Sequence, residues 1–143
     1  MRKGRFCLAL AVVMSVGMVA PKAADFSSAG APDLSRAREL IAAKDYKAAL
    51  ANLSGYESSQ HPDVFSLMGY SYRKSGDRPR AFEYYAKALA GNPDHRGALE
   101  YQGELYIEVG QIDKAKANLV HLKRLCPTGC EELDDLEDAL KGK

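Results

Sequence analysis

Gly69, Tyr72, Gly76, Ala81 and Pro93 each recur 34 positions later, as Gly103, Tyr106, Gly110, Ala115 and Pro127. Small, aromatic and helix-stopping residues that return at one interval mark a repeated supersecondary unit. A unit of that size cannot bury its own apolar face, so its stability comes from stacking on neighbours. This constrains the chain more than its composition does. It sets an all-α, quasi-one-dimensional fold as the expectation and turns the functional question from chemistry towards recognition.

The clearest unit spans residues 62–95. Phe65, Met68, Gly69 and Tyr72 recur at helical spacing, Gly76–Asp77 mark a turn, and Ala81, Tyr85, Ala88 and Leu89 form the apolar face of a second helix. Asn92–Pro93 stop that helix, because proline has no amide for a continuing ladder. The next unit, 96–129, keeps the register: Leu99, Gly103 and Tyr106, the turn at Gly110, then Ala115, Leu119 and Leu122, closed by Pro127. Small residues at Gly69, Ala81, Gly103 and Ala115 are expected where two helices approach closely.

A weaker unit precedes these, at 33–61. Aligning Asp45 with Asp77 sets Ala49 on Ala81, Leu53 on Tyr85 and Tyr56 on Ala88. The offset is then 32, so the connection through 55–60 is about two residues short; terminal repeats are usually atypical because one face has no neighbour. At the other end, Leu133, Leu136 and Leu140 lie 34 positions after Leu99, Gln102 and Tyr106. Residues 129–141 therefore read as the first helix of a further unit, with an apolar stripe and an acidic, solvated back suited to capping a stack. Thr128 and Glu131 have the spacing of a capping box at its start.

The N-terminus has the layout of a secretory signal. Arg2, Lys3 and Arg5 precede the uncharged stretch Phe6–Ala20, and Ala23–Ala24 offer a small-residue exit. That stretch is about 15 residues long, short of the ~20 needed to span a bilayer. Cleavage after about Ala24 (residues 1–24 removed) would leave 25–32 as a flexible leader. It would also lower Lys plus Arg from 20 by four, to about 16, against 19 acidic residues, for a net charge near −3. Such a chain lacks the basic footprint of a nucleic-acid binder or a polybasic membrane patch. The expected location is the periplasm, with no stable membrane insertion after cleavage.

The units at 62–95 and 96–129 resemble tetratricopeptide repeats, and the resemblance extends, more weakly, to most of the mature chain. Two departures are visible: Phe65 and Leu99 stand where the family often has tryptophan, and Met68 and Gln102 where it has leucine. The resemblance implies a right-handed α-solenoid of about three helix-turn-helix units plus a C-terminal capping helix. It also implies a protein without an active site that binds a partner peptide or helix in a concave groove lined by the first helix of each pair. Carried over by repeat position, that groove would comprise Leu34, Arg38, Ile41 and Ala42 from the first unit, Asp63, Ser66, Tyr70, Arg73 and Lys74 from the second, and Glu100, Glu104, Ile107 and Glu108 from the third. Arg38, Arg73 and Lys74 would make one end basic, and the glutamates the other acidic, selecting a partner of reversed polarity. The same charges could instead pair between helices, Arg73 or Lys74 with Glu104 and Glu108. The Lys/Asn clamp with which some members hold acidic chaperone tails has no match at these positions.

Cys126 and Cys130 flank a Pro-Thr-Gly turn, and an even cysteine count in an exported chain favours a disulfide. The alternative is a thiol- or copper-handling accessory protein using that pair, with His121 as a third ligand. His61 and His95 read as polar residues of the inter-unit turns. No nucleophile–base grouping and no phosphate-cradling loop is evident in the sequence. The expectation is a non-catalytic protein-binding module, an adaptor or assembly factor for an exported partner, needing no cofactor or metal and with self-association as a further option.

Overall fold

The computed structural model describes residues 30–142; the expected signal segment and most of the leader lie outside them. Seven α-helices and no strand occur among the described residues: α1 (Ser35–Ala42), α2 (Tyr46–Ser54), α3 (Pro62–Lys74), α4 (Arg78–Gly91), α5 (Arg96–Glu108), α6 (Ile112–Leu125) and α7 (Glu131–Lys141), with one 3-10 turn at Glu57–Ser59. Each helix packs on the next, and each odd-numbered helix also touches the odd-numbered helix before and after it.

The local devices repeat with the sequence. Asp45 and Asp77 cap α2 and α4 in nearly the same conformation, each carboxylate accepting from the backbone N–H three residues on, Ala48 and Arg80. The residue before the N-cap of each second helix sits in the left-handed region: Lys44 at φ 60°, Gly76 at 85° and Gly110 at 77°. Glycine adopts that conformation without a Cβ clash. The first unit uses lysine there, and this is one source of its weak match. Its missing two residues are taken up at the turn through Glu57–Ser59.

Packing follows the small residues. A Cβ added to Gly69 would lie 2.6 Å from the Tyr85 ring, and one added to Gly103 would lie 2.7 Å from Leu136. Ala37, Ala49, Ala81 and Ala115 are fully enclosed. One apolar cluster, with Leu53, Val64, Phe65 and Met68, spans α1 to α5; a second, with Leu99, Leu122, Leu133 and Leu136, joins α5, α6 and α7. Ala81, Tyr85 and Leu105 form a third, between α4 and α5.

Two local expectations are corrected. The capping box at Thr128 and Glu131 does not form: α7 begins one residue later than the repeat register implies, with Cys130 extended at its N-cap and no side-chain cap. Gly129 at φ 92° reverses the chain there and leaves Thr128 two residues short of the capping position. His61 and His95 are more than turn residues. Their Nδ1 atoms cap α3 and α5, accepting from Asp63 N–H at 3.3 Å and Ala98 N–H at 3.0 Å. Since His95 Nδ1 accepts, its proton is on Nε2, which donates to Asp63 at 2.7 Å and ties the second unit to the third.

Candidate groove between the odd-numbered helices

α3, α5 and α7 stand side by side, and their facing turns leave an open cavity of ≈ 370 Å³. Tyr70 and Lys74 of α3 line one wall and Glu100, Tyr101 and Glu104 of α5 the floor; Glu131, Glu132 and Asp135 of α7 close the far side. A second cavity of ≈ 150 Å³ adjoins it, lined by Arg38, Asp63, Ser66 and His95 among others. Gly97, Tyr101 and Glu132 border both. Tyr70 and Tyr101 contact each other with ring centroids 4.8 Å apart, and Lys74 Nζ lies 5.2 Å from the centre of the Tyr70 ring.

The expected groove residues divide into five groups. Tyr70, Lys74, Glu100 and Glu104 share the larger cavity, and Arg38, Asp63 and Ser66 share the smaller. Leu34 and Ile107 are directed into the core, 5% and 8% exposed. Leu34 sits at the N-cap of α1, before the helical register that would turn it outward begins. Ile107 lies on the side of α5 that meets the second apolar cluster. Ile41 is half-buried and Ala42 exposed, and neither borders these cavities.

Arg73 and Glu108 are engaged in an inter-unit junction. The Arg73 guanidinium is 5% exposed and donates to Glu104 through Nη1 and to Glu108 through Nε at 2.8 Å, while Arg78 approaches Glu108 at 3.5 Å. Burial works against the arginine's charge, but its hydrogen bonds to Glu108 and Glu104 outweigh it and hold Arg73 firmly protonated. Arg73 is therefore spent on pairing between helices and adds no free positive charge to the groove, so the basic end is weaker than its sequence suggests.

Glu100, one turn before Glu104, is different. It is 7% exposed, and no hydrogen bond or ion pair reaches it among the described residues. Burial pushes its carboxyl up to about 8, with Glu104, Asp135 and Glu132 adding to the shift and Arg73 opposing it. Burial likewise drives the Tyr101 hydroxyl up to about 12, so it stays protonated at neutral pH.

Tyr101, Gly97 and the α7 acids were missed as groove residues. The signal was present: the 34-residue step that leads from Asp63 to Gly97 and from Leu67 to Tyr101 leads on to Glu131 and Asp135. Acidic residues on a terminal helix also suit a solvated face, so their type alone does not mark them as groove residues.

The cysteines sit at the α6–α7 turn, bonded as a disulfide with α-carbons 5.8 Å apart. His121 binds Asp94 at 2.7 Å. No cluster of three or more His, Cys, Asp or Glu side chains among the described residues is arranged to hold a metal ion, and no helix among them is long and apolar enough to cross a membrane.

No family model matches this chain. It is similar to the cellulose synthase 2 operon protein C of Komagataeibacter xylinus, with 31% identity over 105 residues. That match takes in 72% of this chain and spans 8% of the relative's length. The similarity and the all-helical architecture are both compatible with a tetratricopeptide-like fold.

Proposed function

We propose that this protein is a tetratricopeptide-like, right-handed α-solenoid that acts as a non-catalytic adaptor, holding a peptide or helix of an exported partner against α3, α5 and α7. The observation that carries this reading is the pair of cavities along those helices, which adjoin at Gly97, Tyr101 and Glu132 and together make the trough proposed for the partner. Tyrosine faces with charged rims suit a protein partner, since aromatic rings offer contact area at little entropic cost. The similarity to a short stretch of a cellulose synthase operon protein supports an accessory, protein-binding role. The periplasmic location rests on the N-terminal signal pattern.

The thiol- or copper-handling reading has less support. The cysteines are bonded to each other, Cys126 is 6% exposed, and His121 is engaged by Asp94. Self-association would show as a change in solution size with concentration.

Photo-crosslinking tests the adaptor reading. A photoreactive residue at Tyr101, in the trough, is expected to give a discrete adduct with a protein of the exported fraction. The same residue at the exposed Lys116 of α6 should not. Equal adducts from both positions, or none from Tyr101, would overturn the reading.

A further inference from the structure

The larger cavity is chemically unbalanced. Five of the nine residues bordering it carry carboxylates, and Lys74 is the only cation among them. Glu104 is held by Arg73, and Glu132 is approached by Arg96 at 3.6 Å. Glu100, Glu131 and Asp135 form no ion pair among the described residues.

An acidic surface alone would say little, since such residues keep a helix in water. Glu100 is the independent observation. It is nine-tenths buried, borders the cavity floor and has no partner. Its carboxylate opens onto the cavity, yet most of the side chain is withdrawn from water without gaining a hydrogen bond from the protein, and that disfavours the charged form. Glutamine or leucine would serve α5 better if packing were the only demand.

The surrounding groups narrow the choice of ligand. The carboxylates border the space without converging on one point, and no three are placed to ligate a metal ion. The opening suits a larger organic cation. Beside Glu100, the rings of Tyr70 and Tyr101 offer π-faces, and Lys74 already lies over one of them.

We infer that this cavity is the receptor for an arginine or lysine side chain of the partner segment, its cationic head on Glu100, Glu131 and Asp135 and its stem along Tyr70 and Tyr101. This rests on the adaptor reading and specifies its partner: a segment with a basic anchor residue. Arginine fits best, because its planar head can stack on a tyrosine and bind a carboxylate with two N–H groups at once.

The site carries its own pH signature. With Glu100 raised to about 8, its side chain is mostly protonated at neutral pH while the cavity is empty, and the incoming cation expels that proton. The charged and titratable groups facing it are Arg73, Lys74 and Tyr70 from α3, Tyr101 and Glu104 from α5, and Glu131, Glu132 and Asp135 from α7. Arginine stays charged throughout, so affinity for an arginine probe follows Glu100: from pH 7 to pH 9 it should rise about tenfold.

The test is titration of the mature chain with N-acetylated tetra-arginine, N-acetylated tetra-citrulline and agmatine, following the Tyr70 and Tyr101 ring signals by NMR at pH 7 and 9; acetylation removes the α-amino group, which would otherwise titrate in that window. The expected result is binding of tetra-arginine with shifts of both rings, at least tenfold tighter than tetra-citrulline or agmatine and tighter at pH 9. Glu100→Gln should fold, lose about tenfold in affinity and lose the pH dependence; Glu131→Gln with Asp135→Asn should weaken binding and keep it. Equal binding by Glu100→Gln, or no ring shifts, would overturn the inference. Agmatine binding as tightly as tetra-arginine would replace the partner side chain with a free amine, and also overturn it. Crosslinks from Tyr101 that persist alongside any such failure would leave the adaptor reading standing.

Discussion

Glu104 and Glu100 lie one turn apart on α5, and their surroundings differ in kind. At Glu104 the structure supplies Arg73, buried and bonded also to Glu108, so the charges of two units are neutralised at their seam. At Glu100 it supplies three further acids and no cation close enough to pair. The first arrangement holds neighbouring units in register. The second costs stability, which is why the proposed arginine receptor is placed there.

Removing the cation at the seam should have the largest effect. Arg73→Met leaves Glu104 without its cation and Glu108 with Arg78 alone, with Glu100 nearby. It is expected to cost about 2–4 kcal/mol, because breaking a buried pair leaves charge uncompensated, here partly relieved by solvent at the carboxylates. Urea unfolding would measure it, and a loss under about 0.5 kcal/mol would remove the distinction between the two sites. The same substitution should move the pH dependence of tetra-arginine binding upward, since Arg73 now favours ionised Glu100.

Glu100→Gln probes the opposite case. A carboxyl whose folded pKa lies above its unfolded value of 4.5 contributes stability that is complete below pH 4.5 and is lost as the pH rises through about 8. The wild type should therefore weaken between pH 5 and pH 9. Glu100→Gln should lack that part of the decline and be about 1–3 kcal/mol more stable at pH 9. Thermal melts across that range would check both. A variant less stable than wild type at pH 9 would mean that Glu100 has a stabilising partner after all.

The far wall of the cavity belongs to α7, tethered by Cys126–Cys130. Replacing both cysteines by serine is expected to cost about 2 kcal/mol, as the cross-link closes only a short loop. Hydrogen exchange should speed up in α7 first, and arginine binding should weaken while the Arg73 seam stays intact. The smallest effect should come from Glu108→Gln. Its side chain is 35% exposed and Arg73 retains Glu104, so up to about 1 kcal/mol is at stake, read from the same denaturant curves.

Much of the architecture was written in the order of residues. The recurrence of Gly69 as Gly103 reflects a steric demand, because no Cβ fits where Tyr85 or Leu136 crosses, and Ala81 and Ala115 recur as fully enclosed small residues. Such demands are local and periodic, so they survive in one dimension. The Asp45–Asp77 alignment likewise located a turn whose geometry the structure repeats. The capping box was misread because its pattern is short, and the turn at Gly129 outranked it. The histidine caps are not legible in the sequence, because imidazole seldom takes that role.

What the sequence determined by itself was a stack of helices with small residues at the crossings, since spacing alone encodes which side chains must meet within a unit. Which charges would be matched was decided only in three dimensions. The repeat register allowed Arg73 or Lys74 to pair with Glu104 and Glu108, but it did not say which cation would be taken, nor that Glu100 would be left beside Asp135 at the cavity without one. Electrostatic balance depends on distance and burial, and both are set when the units pack.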